Sequence, residues 1–203
     1  TTAQAAQMLA TEAQAYFDGR KPVQEDLPGQ VDVWFWDDAK KQCVARTFPT
    51  EEAAREEAAR LAREAYSVSP EDKTIRLLYL ATMLERAVYE NGLDKPLKAD
   101  AGTPAAKLSA FGPEVVEELL VYALEHRRAP AATAAARILG QIGTAQQLLY
   151  QGAQPAPLVR AVRYPDARLR LAAVEAIVAL EPAQPFAGST YLPEALGFFI
   201  AST

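Results

Sequence analysis

The sequence holds one cysteine, one histidine and no long apolar run, and each scarcity removes a class of chemistry. Cys43 alone cannot close an internal disulfide, and as a small apolar residue in a predicted strand it needs no further role. His126 alone excludes multi-histidine metal sites and histidine-rich catalytic constellations. It falls in Glu125-His126-Arg127-Arg128 at a predicted helix end, where a cationic side chain suits the C-terminal dipole. No apolar stretch reaches the roughly 18–20 residues that span a bilayer, so no membrane span is expected. Glycine is sparse, at 10 of 203 residues, and β-branched residues are few outside one short region. The expected class is therefore mainly α. A hydrophobic content of 50% supplies a core for one or two domains.

Catalytic motifs are missing too. No Gly-x-Ser-x-Gly turn is present, and Gly140-Gln141-Ile142-Gly143 lacks the Gly-Lys-Ser/Thr that would complete a phosphate loop. Carboxylate pairs occur at Glu25-Asp26, Asp37-Asp38, Glu51-Glu52, Glu56-Glu57 and Glu117-Glu118. Acid–base work needs two carboxylates facing each other in unequal environments, whereas sequence neighbours on a helix do not share a face. No catalytic residue, metal ligand or cofactor is assigned. Net charge is −5, with 18 acidic and 13 basic side chains before position 101 and eight of each after it. No strongly basic domain emerges, so nucleic acid is not expected as the main partner.

What is present is helical patterning. Ala6, Leu9, Ala10, Ala13 and Phe17 predict a helix over 3–17, stopped by Asp18-Gly19-Arg20-Lys21-Pro22. Val31 to Trp36 and Gln42 to Phe48 predict a β-hairpin around the polar turn 37–41. Thr50 is expected to cap the next helix, with Ala54, Ala58, Leu61, Ala62 and Ala65 inward. Pairs Glu51–Arg55 and Glu56–Arg60 are expected on its outer face. Ser69-Pro70-Glu71-Asp72 reads as the start of a central helix that ends at Asn91-Gly92. The segment 95–112, with two prolines and two glycines, reads as a linker between a region 1–94 and a region 113–203. Helices are predicted from Pro113 to Leu124, from Pro130 to Ile142, and from Tyr191 onward.

Near the C-terminus, Pro157 to Val162 forms a short helix, Tyr164-Pro165-Asp166 a corner, and Leu169 to Ile177 an Ala-rich helix that opens with Arg170. This unit resembles a HEAT repeat of the short bacterial, lyase-associated form, in which the corner Asp and the following Arg recur. Superposing Ala134 to Leu139 on Ala172 to Ile177 gives an offset of 38 residues that also places Leu120 on Leu158 and Leu124 on Val162. A period near 40 lies in the HEAT range. In the first unit Arg128 replaces the corner Asp and Ala132 the Arg, so that unit rests on spacing. Ala58, Ala65 and Pro70 also resemble the second helix of a tetratricopeptide repeat, without the preceding helix.

The resemblance implies an α-solenoid of HEAT-like helix pairs with one hairpin inserted, similar to helical-repeat regions of large multidomain bacterial proteins. It implies a non-catalytic scaffold or protein-interaction region; a HEAT-like lyase or glycosylase and a nucleic-acid-binding module are the alternatives. Asp166 and Arg170 are expected to be linked at the corner. Candidate interaction residues are Trp34 and Trp36, which share one strand face, and Arg160 and Arg163 in the basic cluster. Burial of the two Trp side chains would make them glue for the hairpin; exposure would make them a binding patch. The chain opens without Met and ends in the apolar stretch Phe198 to Thr203, so we expect a segment of a longer protein. Cytoplasm is favoured over export. Leu192, Leu196, Phe199 and Ile200 are expected to form an uncovered stripe through which 191–200 self-associates.

Overall fold

The computed structural model describes residues 2–149 and 155–201 as nine α-helices and one antiparallel hairpin. The side chains of Ile200 and Ala201, and all of Ser202 and Thr203, lie outside the described residues. Two compact units divide the chain, Thr1–Thr82 and Met83–Thr203. The boundary falls inside a continuous helix rather than in segment 95–112. That helix has no glycine or proline, so composition carries no mark of the division.

In the first unit, α1 (Thr2–Phe17) packs along α2 (Thr50–Val68). Their contact is made of small residues: Ala6, Ala10 and Ala13 on one helix, Ala58, Ala62 and Ala65 on the other, all buried. Strands β1 (Gln30–Asp37) and β2 (Gln42–Pro49) pair with Val33 opposite Arg46 and Trp34 opposite Ala45. Val31 and Val33 lie against Ala53 of α2, with Val23, Phe35 and Phe48 around them. A lone hairpin is marginal in water, and this apolar seat on α2 is what steadies it. The turn is closed by Asp37, whose Oδ1 accepts from the Ala39 and Lys40 amides at 3.0 Å each.

Three local expectations are corrected here. Pro49 occupies the cap position of α2 without a side-chain bond, and the Thr50 hydroxyl instead donates to Glu25 Oε1 at 3.1 Å. Arg60 pairs with Glu57 and Glu64, at i−3 and i+4, while Glu56 is buried and Ala53, rather than Ala54, faces inward. Helix α3 (Lys73–Asn91) starts after Asp72, not at Pro70. The Asp72 carboxylate accepts from the Thr74 and Ile75 amides at 2.9 and 3.1 Å, and an Asp so placed outcompetes the earlier Ser69 as cap.

In the second unit the segment read as a linker contains α4 (Pro104–Ser109). Thr103 caps it by accepting from the Ala106 amide, Pro104 opens it, and Ala105 and Leu108 are buried. One and a half turns are too few for periodicity to register. Helices α5 (Pro113–Glu125), α6 (Ala129–Ile142), α7 (Pro157–Ala161), α8 (Ala167–Ala179) and α9 (Tyr191–Ala201) follow. A 3-10 turn, Ala145–Leu148, closes after α6 with a capping box built by Thr144 and Gln147. Helix α5 packs on α6 and α7 on α8, while α6 lies against α8 and α5 against α7. Residues related by the 38-position offset, Leu120 and Leu158, Ala135 and Ala173, Leu139 and Ile177, are buried in both helix pairs.

Candidate functional site

Strand alternation divides β1 into two faces. Val31, Val33 and Phe35 turn toward α2, so Asp32, Trp34 and Trp36 must turn away. Trp34 is 67% exposed and Trp36 59%. Of the two alternatives, glue for the hairpin or an exposed patch, the first is excluded: valine and phenylalanine seat the hairpin, and the indoles face solvent. Their cross-strand partners are small, Ala45 opposite Trp34 and Cys43 opposite Trp36, which leaves the ring faces uncovered. Trp36 Nε1 donates to Asp38 Oδ1 at 3.2 Å. At the far end of the face the Thr47 hydroxyl donates to Asp32 Oδ1 at 2.7 Å, fixing the register. Cys43 lies in β2, the strand expected for it, and is exposed on this face.

The carboxylate pair Glu25-Asp26 holds the same hairpin. Glu25 Oε2 accepts from the Gly29 amide at 3.1 Å and Asp26 Oδ2 from the Asp32 amide at 2.8 Å. Both are backbone anchors of a turn.

The corner of the second helix pair differs in detail from its expected chemistry. Asp166 is the N-cap of α8 and accepts from the Leu169 amide at 3.0 Å. Arg170 Nη1 donates to the carbonyls of Tyr164 and Pro165, each at 3.2 Å. Both side chains bind the corner backbone; no bond joins them to one another among the described residues. A guanidinium one turn into the helix reaches the two carbonyls that precede the cap, while the short Asp side chain is already committed to the helix amides.

At the equivalent place in the first pair, Arg128 Nη1 lies 3.4 Å from Glu85 Oε1, with the Glu85 side chain 4% exposed. This ion pair ties the start of α6 to α3, and α6 has no side-chain cap of the kind Asp166 gives α8. Arg168 pairs with Asp94 at 2.5 Å, and this partner together with the charge of Asp94 raises the Arg168 pKa. The lone histidine caps α5, its ring 4.2 Å from that of Tyr122.

Arg160 and Arg163 flank a cleft of about 340 Å³ lined also by Pro155, Val159 and Tyr191. The Arg163 guanidinium sits 4.6 Å from the centre of the Tyr191 ring, and Arg170 sits 4.8 Å from that of Phe198. Two aromatic residues of α9 therefore meet two arginines of the preceding pair. Sequence reading missed Tyr191 and Phe198, since contacts this far apart along the chain leave no local spacing signal. On α9, Leu196 and Phe198 are exposed, while Leu192 and Phe199 are half-buried; the uncovered stripe is shifted to include Phe198.

No helix among the described residues is long and apolar enough to cross a membrane. Among the same residues no group of three His, Cys, Asp or Glu is arranged to hold a metal ion. Compared with protein-family models, curated proteins and solved structures, the chain matches none.

Proposed function

We propose that the chain is a non-catalytic helical-repeat module, an α-solenoid of HEAT-like helix pairs, that holds a protein partner through the Trp34–Trp36 face of its hairpin. The observation that carries this reading is the exposure of two tryptophans on one strand face above small neighbours. Exposed indoles offer large rigid area with a polar edge, the profile of interface hot spots. The burial shared by positions 38 residues apart supports the repeat architecture. Engagement of Arg128, Arg168 and Arg170 in internal contacts removes them from a continuous basic face, which favours a protein partner over nucleic acid.

The test is retention of proteins from an extract of the source cells by immobilised wild type and by Trp34→Ala/Trp36→Ala. A protein retained in stoichiometric amount and lost at least tenfold in the double variant, with an unchanged melting curve, is the expected result. Equal retention by both, or salt-sensitive binding of duplex oligonucleotides in its place, would sink the reading.

A second reading, self-association through 191–200, is favoured by exposed Leu196 and Phe198. Sedimentation of wild type against Leu196→Glu checks it: a concentration-dependent dimer lost in the variant is expected, and a wild-type monomer at every concentration would remove it.

A further inference from the structure

We infer that Arg160 and Arg163 form a binding site for a phosphate monoester in the cleft beside Tyr191. The two arginines come from successive turns of chain at the end of α7, the Arg163 amide donating to the Arg160 carbonyl at 3.2 Å. Their side chains consequently share one face and open on the same cleft, whose lining of Pro155, Val159, Arg160, Arg163 and Tyr191 includes no acid. Among the described residues neither guanidinium has a carboxylate partner, in contrast to Arg128 and Arg168.

Arg163 is preorganised. Its guanidinium carbon lies 4.6 Å from the centre of the Tyr191 ring, a cation–π contact that spends no N–H on a hydrogen bond. The N–H donors lie in the plane, so the fork remains available to an oxyanion while the side chain is already held in place. Gly188 secures this arrangement. With φ at +83° it turns the chain into α9, and a Cβ there would meet Val159 Cγ1 at 2.5 Å and Tyr191 at 3.2 Å.

Charge selects the ligand. Two guanidiniums present two positive charges and paired donors, which suits a group carrying about −1.5 to −2 charges on three oxygens at pH 7. A carboxylate supplies one charge and satisfies one fork. Pro155 and the Tyr191 ring give the ester substituent an apolar wall. The site stands independently of the tryptophan face, since it uses residues of the second unit alone.

The experiment is an amide chemical-shift titration of the whole chain at constant ionic strength with phenyl phosphate, inorganic phosphate and acetate. Saturable shifts confined to residues 157–163 and 188–191 are expected with both phosphates, and phenyl phosphate should bind more tightly than the inorganic ion. Arg160→Gln and Arg163→Gln should each weaken binding at least tenfold. Arg163→Lys should not restore it, because an ammonium has no planar fork to stack. Arg168→Gln, which removes an arginine already paired with Asp94, should stay within twofold of wild type. Arg160 makes no side-chain bond within the described residues, so its variant keeps the fold and the test valid even if Arg163→Gln loosens α9. Linear shifts with phosphate, acetate binding as tightly as phenyl phosphate, or unchanged binding in Arg160→Gln would each overturn the assignment.

Discussion

Gly140 of α6 and Ala176 of α8 meet at backbone distance. A Cβ added to Gly140 would stand 2.7 Å from the Ala176 Cα and 2.8 Å from its Cβ, closer than carbon atoms pack. The helices of two consecutive pairs approach here because neither position carries a side chain larger than a methyl group.

Gly140→Ala should therefore destabilise, although alanine favours a helix over glycine by about 1 kcal/mol. Overpacking against backbone costs about 1–3 kcal/mol and outweighs that gain. Gly197, in α9, has nothing within 4 Å of an added Cβ, so Gly197→Ala should stabilise by up to about 1 kcal/mol. Urea unfolding of the two variants gives the comparison. A Gly140→Ala protein as stable as wild type would show that α6 and α8 separate freely.

At the α7–α8 corner, Arg170→Ala should cost about 1–3 kcal/mol, because two carbonyls lose a charged donor and Phe198 loses its cation. Asp166→Ala should cost about 1 kcal/mol through loss of the cap. Since the two side chains bind backbone rather than each other, their effects should add to within about 0.5 kcal/mol. A coupling above 1 kcal/mol in the double-mutant cycle would restore the direct pair that the sequence resemblance implied.

Long, strongly patterned helices were legible from spacing. On α3, expected as a central helix, Ile75, Leu78, Leu80, Leu84 and Val88 are buried, as are Ala134, Ala135, Ile138 and Leu139 on α6. The hairpin was legible as well, but its orientation was not. Val31, Val33 and Phe35 alternate with Trp34 and Trp36, so both faces read as apolar and only contact with Ala53 decides between them. Helix α4 was hidden by its length, and the start of α3 by two competing cap residues, Ser69 and Asp72. The corner Arg was recognised as structural, yet its acceptors are carbonyls, which no side-chain pattern records.

The hairpin face gives a sharp contrast. Trp34→Ala and Trp36→Ala should each change stability by less than about 1 kcal/mol, since both side chains are more than half exposed. Val33→Ala, across the same strand, should cost about 1–3 kcal/mol by opening space above Ala53. Thermal unfolding followed by circular dichroism separates the two faces. A large loss from either Trp variant would mean that the indoles are covered after all.

Glu117 adds a pH dependence. On half-buried ground in α5, desolvation raises its pKa above the ordinary glutamate range, and repulsion from Glu114 and Glu118 adds to this. A carboxyl group raised in the folded state binds its proton more tightly there than in the unfolded chain. Its contribution is thus most favourable below the unfolded pKa, near pH 4, and declines as pH rises through the folded value. Glu117→Gln removes the ionisation while keeping the shape. The variant should be more stable than wild type at pH 7, with the difference shrinking as both are taken toward pH 4. Melting temperatures of the two proteins at intervals between pH 4 and 7 measure this directly. Parallel curves, or a gain that grows on acidification, would show that Glu117 is held ionised by a partner rather than penalised by burial.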